Sequence, residues 1–351
     1  MRKKKVLHLL FSDSYSGAEK VVCTIIENMK NNYDMIYCSK KGPIEETLKK
    51  KNISYNLVNN FTYSEIKHII NDFNPDIIHA HDYRCAFYAS LCKNNRKLII
   101  HIHNNNPWLK TISIKSFVFL LSIIKSNNVL LVSQSILDEY IFKKRLINKS
   151  IIINNPLSRI DIISKKSNDK AIKCYDICCV ARLSLAKNPE RFLKIIQMVS
   201  KNNKIKVVWV GDGELKSSIV LKSKEMGLDK IISFVGFTEN PYQYLSNSKI
   251  FLLTSDWEGF GLSAFEALSL GLPSVVSNVG GLKKIVDESC GKLCDPDNIR
   301  SYSDEIEKLL NDSSYYKEKS KFAILKSKKL ENLDKYINEL DIIYKKLFKN
   351  N

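Results

Sequence analysis

Two glutamates, Glu258 and Glu266, stand eight positions apart in TSDWEGFGLSAFEALSLGLPSVVS, residues 254–277, on either side of the turn Gly259-Phe260-Gly261. Apolar runs enter and leave this stretch, so both carboxylates fall at a seam between a buried strand and a helix, where an unpartnered charge is costly. The glycines allow the backbone to approach a ligand closely. The first amides of the following helix, Leu262 to Phe265, lack intrahelical acceptors and form a ready anion site. Glu258 precedes the helix and Glu266 falls about one turn into it, so both can border one pocket. Carboxylates without cationic neighbours in such a pocket suit neutral, hydroxyl-rich ligands, because they accept hydrogen bonds from sugar hydroxyls. An arbitrary pair of glutamates would be a loop residue and a surface helix residue; the coincidence of turn, glycines and helix start favours a site.

Other residues have chemistry that the sequence leaves open. Arg182 ends a strand in VARLSLAKN and Lys187 follows five positions later; alone they could be ordinary surface cations. Gly17, in SYSGAEK, lies between the first strand and first helix, as a plain tight turn would. The GDGEL loop carries Gly211 and Gly213, and the GFTEN loop carries Thr238. Neither has the G-x-G-x-x-G fingerprint, which weighs against a dinucleotide reading. His79 and His81 share one face of a strand, as do His101 and His103. His8 and His68 read as structural, and spacing alone implies no metal cluster. Asp82 follows HAH. Asp297 in DPD, residues 295–297, precedes a helix and reads as its cap rather than a metal ligand. The nine cysteines contain no C-x2-C pair and read as packed, reduced thiols of a cytosolic protein.

At 351 residues the chain is long for one core. VLHLLFS, DMIYCS, DIIHAH, KLIIHIH, NNVLLVS and SIIINNP read as strands alternating with helices; YDICCVARL, KVVWVGDG, IISFVGF, KIFLLTS and LPSVVSN repeat the scheme. Continuous apolar strands separated by helices imply parallel sheets covered on both faces. The expected fold is α/β, two doubly wound, Rossmann-like domains facing an interdomain cleft, with ligands beyond the carboxyl ends of the strands. The first domain is expected over 1–158 and the second over 159–331, with the polar stretch 158–173 connecting them. The last helix, about 332–351, has no strand to follow it and is expected to pack back and complete the first domain.

The net charge is +18, and residues 1–150 carry 23 lysines and arginines against 12 acidic residues. Such a field favours polyanions or phosphorylated small molecules, although a low-GC genome also enriches lysine. No nucleic-acid reading module is recognisable. The apolar core of the start, Val6–Phe11, is too short for an export signal, and no run is long enough to span a bilayer. TISIKSFVFLLSIIKS, residues 111–126, reads either as a core helix or as an interfacial face that docks on anionic lipid.

E258-GFGLSAF-E266 resembles the E-x7-E signature of retaining GT-B glycosyltransferases, specifically glycosyltransferase family four. SGAEKVV, DIIHAH, IIHIHN, VSQSI, VARLSLAKNPERFL, VGDGEL, FVGFTENPYQYLSNSKIFLLTSDWEGFG and CGKLCDPDN occur in the family's order, so the likeness covers nearly the whole chain. The resemblance implies that Arg182 and Lys187 clamp the diphosphate of a UDP- or GDP-sugar, stabilising charge as it leaves. It assigns Glu266 to the ribose, Glu258 to the donor sugar, and Gly259, Phe260, Gly261 and Leu262 to sugar and phosphate contacts. It brings Gly17 to the donor phosphates and acceptor, Gly211, Gly213 and Thr238 to the base, and His103 to the donor sugar. Asp82 would line the acceptor side.

The two cations would take the place of a divalent ion, so no metal or other cofactor is expected. The implied activity is retaining hexosyl transfer to a glycan, lipid-linked in surface polysaccharide assembly, in the cytoplasm or on the inner face of the membrane. The alternatives are a non-catalytic protein of the same fold and an epimerase-like enzyme that converts donor without acceptor.

Overall fold

Seven strands of the N-terminal half form one parallel sheet in the order β3-β2-β1-β4-β5-β6-β7. They are β1 (Lys4–Leu9), β2 (Tyr33–Lys40), β3 (Tyr55–Val58), β4 (Ile77–Ala80), β5 (Lys97–Ile102), β6 (Asn128–Leu131) and β7 (Ser150–Ile152). The central strands are buried almost throughout, as expected for a sheet covered on both faces. The covering helices are α1 (Gly17–Met29), α2 (Ile44–Lys50), α3 (Tyr63–Phe73), α4 (Tyr83–Cys92), α5 (Ile114–Lys125), α6 (Gln134–Glu139) and α7 (Lys143–Leu146). The C-terminal helix, Leu333–Lys349, joins this unit: the Tyr33 hydroxyl donates to Asp341 at 2.7 Å, and the Tyr344 hydroxyl meets His79 Nδ1 at 2.8 Å.

The computed structural model describes residues 2–166 and 174–349. The chain divides into two compact units, Met1–Pro156 with Asn332–Asn351, and Leu157–Glu331. The stretch read as a connector behaves otherwise where it is described. Ser158 caps α8 (Arg159–Ser164), whose Ile162 is buried and which packs on a helix of the second unit, α12 below. Residues 167–173 lie outside the described residues.

The second unit carries a parallel sheet in the order β10-β9-β8-β11-β12-β13. Its strands are β8 (Tyr175–Val180), β9 (Val207–Val210), β10 (Ile232–Gly236), β11 (Ser248–Leu253), β12 (Ser274–Ser277) and β13 (Gly291–Cys294). Its remaining helices are α9 (Pro189–Ser200), α10 (Lys216–Glu225), α11 (Tyr242–Ser246), α12 (Leu262–Ser269), α13 (Leu282–Ile285), α14 (Ile299–Asn311) and α15 (Ser313–Leu330). Eight of the nine cysteines are buried as free thiols, and Cys174 is exposed. No helix among the described residues is long and apolar enough to cross a membrane.

Candidate active site

In the second unit, three loops at the carboxyl ends of adjacent strands are stitched together by backbone. After β8, the Ala181 amide bonds Val210 O at 3.0 Å and the Leu183 amide bonds Asp212 O at 2.9 Å, joining this loop to the one after β9. The approach is close enough to need glycine. A Cβ at Gly211, whose φ is +139°, would stand 2.0 Å from Ala181 O, and one at Gly213 would stand 2.2 Å from Leu183 O. Both glycines thus have a packing reason, whatever a base requires of them. Arg182 projects from this seam, exposed, with its Nε 3.4 Å from Glu214. An exposed pair of this kind is weak, so the guanidinium can turn toward an anion. Thr238, in the loop after β10, accepts the Asn240 amide at 3.2 Å.

Lys187 and Glu258 are brought into direct contact as an ion pair, with side chains only 18% and 14% exposed, so Glu258 does have a cationic neighbour, contrary to the reading of its local sequence. The turn Leu185–Lys187 is tied to the end of β11: Asp256 N bonds Ala186 O at 2.9 Å, and the Thr254 hydroxyl donates to Lys187 O at 3.0 Å. A second pair, which sequence reasoning missed, braces the same loops. Arg191 holds Asp256 at 2.7 Å and donates to Thr254 O at 2.9 Å. Asn188 caps α9 from a left-handed conformation and reaches Asp256 at 3.1 Å. The N-P-E-R run that opens α9 is the only local signal for this brace.

The Glu258–Gly261 turn lies on a second glycine pair. The Gly281 amide donates to Glu258 O at 3.1 Å. A Cβ at Gly280 (φ +49°) would fall 1.8 Å from Glu258 O, and one at Gly281 would fall 2.5 Å from Gly259 O. Gly280 and Gly281, in SNVGGLKK, therefore set the position of Glu258, and only their doublet after a buried strand hints at it. Gly280→Ala is expected to displace Glu258 and cost about 1–3 kcal/mol of stability, the range for a side chain forced into a strained backbone; thermal denaturation, beside an assay of the site's activity, would check this.

Gly261, at φ +98°, precedes α12, and Phe260 packs into the core at 4% exposure. The anion site is smaller than expected. The Ala264 and Phe265 amides already bond Gly261 O at 3.1 and 3.2 Å, so the reading rests on the amides of Leu262 and Ser263. Glu266 is buried on α12 at 6% exposure. The D-P-D reading needs a similar correction. Asn298, not Asp297, caps α14 by accepting the Ser301 amide at 3.0 Å, while Asp295 accepts the Asp297 amide.

In the first unit, Gly17 opens α1, and the buried Glu19 carboxylate accepts the Ser16 amide at 3.1 Å. Asp82 caps α4, accepting the Cys85 amide at 2.7 Å. Burial raises the pKa of both carboxyls. Asp82 therefore has a structural duty that its expected role on the acceptor side did not include.

The histidines depart most from expectation. His8 pairs with His79 in the β1–β4 register. Side chains two apart share a sheet face, so His8, His79, His81, His101 and His103 converge there. Their rings stack, with His101–His103 centroids 4.0 Å apart and His79–His81 centroids 4.2 Å apart. His8 Nδ1 meets His81 Nε2 at 3.0 Å, and His81 Nδ1 meets His103 Nε2 at 3.0 Å.

Of these five rings, only His81 has a partner for both of its nitrogens. His8 Nε2, His79 Nε2, His103 Nδ1 and both His101 nitrogens are buried without a hydrogen-bond partner. Burial lowers the pKa of every ring, to about 3 for His8 and about 4 for His103, so all five are neutral at pH 7. Two triads sharing His81 bring one nitrogen from each ring within 4.8 Å, a spacing that could hold a cation. The 3.0 Å pairs are hydrogen bonds between neutral rings. His68, read as structural, is exposed on α3.

Comparison with known proteins follows the same division of the chain. The family model "Glycosyltransferase Family 4" matches residues 15–157, and "Glycosyl transferases group 1" matches residues 161–326. The O-antigen biosynthesis glycosyltransferase WclY of Escherichia coli is 25% identical over 299 residues, 82% of this chain and 83% of that protein. The UDP-Gal:alpha-D-GlcNAc-diphosphoundecaprenol alpha-1,3-galactosyltransferase of Escherichia coli is 34% identical over 138 residues, 38% of this chain and 36% of that protein. The crystal structure of Anabaena HepE in complex with UDP and glucose aligns with TM-score 0.87 at 16% identity, covering 98% of this chain and 100% of that one. With a family model over each half and the two parallel-sheet units of the GT-B fold, the chain belongs to glycosyltransferase family four.

Proposed function

We propose that this glycosyltransferase moves a hexose from a UDP- or GDP-sugar to a hydroxyl of a lipid-linked glycan. Transfer retains the anomeric configuration, needs no metal ion, and serves surface polysaccharide assembly at the cytoplasmic face of an anionic membrane. The observation that carries the reading is the Lys187–Glu258 pair, held by backbone against the Gly259–Gly261 turn. The relatives' names support the substrate class: one builds O-antigen, and another transfers galactose to a diphosphoundecaprenol-linked sugar.

In this mechanism the bond between the anomeric carbon and the diphosphate oxygen breaks first, giving an oxocarbenium-like state. Lys187 and Arg182 stabilise the charge that accumulates on the diphosphate, with the Leu262 and Ser263 amides beside it. Glu258 accepts hydrogen bonds from the sugar hydroxyls, and Glu266 from the ribose. Gly211, Gly213 and Thr238 border the base, and Gly17 the phosphates. The acceptor oxygen attacks the face the diphosphate leaves, and its proton passes to the departing phosphate. His103 hydrogen-bonds the donor sugar, and Asp82 lies on the acceptor side.

Thermal denaturation with a panel of UDP- and GDP-sugars tests donor binding. A ligand at 100 times its Kd adds about 2.7 kcal/mol of stability, so the true donor is expected to raise the Tm by several degrees. NMR of the product with a lipid-linked acceptor reports the anomer. An inverted product, or conversion of the donor without any acceptor, overturns the reading.

A further inference from the structure

Helix α5 turns four of its large apolar side chains outward. Ile114, Phe117, Leu121 and Ile124 are 84%, 49%, 55% and 57% exposed. Their spacing of three, four and three residues puts them on one stripe. The opposite face, against α4, buries Ser116 and Ser122 beside Phe119 and Ile123. Both serine hydroxyls turn back to carbonyls of their own segment, Ser113 O at 2.8 Å and Val118 O at 2.9 Å. A helix that faced only water would reverse this arrangement.

The apolar surface continues past the helix. Ile112 is 70% exposed just before it, and Ile147, just past the neighbouring α7, is 59% exposed. The Phe117 and Phe142 rings, 5.2 Å apart, join the two elements. The charged side chains of α5 and α7 are all cations, and the nearest acids in sequence, Asp138 and Glu139, lie on α6. Lys115 and Lys125 are exposed on α5, and Lys143, Lys144 and Arg145 on α7. No acidic residue occurs between Asp82 and Asp138, or between Glu139 and Asp161. A stripe of large apolar side chains flanked by unopposed cations complements a surface that offers hydrocarbon and negative charge together.

We propose that the α5–α7 face docks on an anionic lipid bilayer, with the apolar stripe lying in the headgroup–acyl boundary and the α7 cations on the lipid phosphates. The partner is the membrane itself, so the proposal deepens the reading of a lipid-linked acceptor. Its test reads lipid binding without turnover, so either can fail alone.

The full chain is co-floated with phosphatidylcholine vesicles, with and without phosphatidylglycerol. Binding is expected only with the anionic lipid and is expected to weaken as salt rises. Lys143→Ala with Lys144→Ala should lower the partition coefficient about 30-fold, from about fivefold per cation at an anionic surface. Ile114→Ser with Phe117→Ser should lower it at least tenfold through lost apolar contact. These side chains are exposed, so the Tm and transfer to a water-soluble acceptor are expected to stay unchanged, which separates a lost docking face from a damaged fold. Equal binding to neutral and anionic vesicles, or unchanged binding by both double variants, overturns the proposal. So does a concentration-dependent dimer that the Ile114/Phe117 variant abolishes while vesicle binding is absent; that outcome would assign the face to a second copy of the chain.

Discussion

Arg182→Ala and Lys187→Ala are each expected to lower kcat/KM for sugar transfer by about 10²–10³, the loss seen when one preorganised electrostatic stabiliser is removed, about 2.7–4 kcal/mol. The two differ in what else they disturb. The Arg182 side chain is 62% exposed and its nearest acid is Glu214 at 3.4 Å, so its loss should leave stability within about 0.5 kcal/mol. Lys187 is different, because removing it strands the mostly buried Glu258 carboxylate. Breaking such a pair by removing one partner costs about 3–5 kcal/mol. Lys187→Met combined with Glu258→Gln removes both charges and is expected to recover most of the lost Tm while turnover stays depressed. Steady-state kinetics beside thermal denaturation separates the two effects. If folded Arg182→Ala and the double variant both turn over within threefold of the parent, neither cation stabilises the leaving group.

The architecture was legible because parallel strands buried on both faces leave continuous apolar runs, and most of the strands follow those runs. The two that escaped, Tyr55–Val58 and Gly291–Cys294, are four-residue edge strands, YNLV and GKLC. An edge strand contacts one neighbour only, so its sequence need not be apolar. The polar stretch after Pro156 looked like a connector for the converse reason. α8 buries only Ile162 of its three isoleucines, and one buried residue in six does not register as a period.

Site geometry was less legible, because it depends on contacts between residues remote in sequence. Nothing local tells that Lys187 reaches Glu258, or that Gly280 lies under the Glu258 carbonyl. The histidine cluster arises from strand register. His8 and His79 become neighbours only when β1 pairs with β4 in parallel, and that pairing is set by the apolar residues around them rather than by the imidazoles. On α5 the periodicity was readable but its direction was not, since a helix with apolar residues on two faces does not say which one meets the core.

That register has an energetic consequence: acidification from pH 7 to pH 5 is expected to destabilise the protein by several kcal/mol, at about 1.4 kcal/mol per pH unit for each ring that stays neutral. The unfolded chain takes up a proton on each histidine near pH 6.5. The folded chain holds His8 neutral down to about 3 and His103 down to about 4, and the rings of His79, His81 and His101 are also lowered by burial. Between those values the unfolded state binds more protons, so stability is fully present above pH 6.5 and falls as pH drops through the window. Each ring that stays neutral contributes about 1.4 kcal/mol per pH unit, so His8 and His103 alone give about 3 kcal/mol per unit, and the three other rings act in the same direction. Glu19 and Asp82, whose folded pKa values are raised, act with the opposite sign and offset only part of the slope. His101 supplies the control because neither of its nitrogens has a hydrogen-bond partner. His101→Leu removes two unsatisfied polar atoms and one titrating group, and it should flatten the slope while holding or raising the Tm at pH 5. Circular dichroism melts at half-unit steps of pH would follow both proteins, and a Tm that stays level from pH 7 to pH 5 would mean the five rings are not buried as neutral groups.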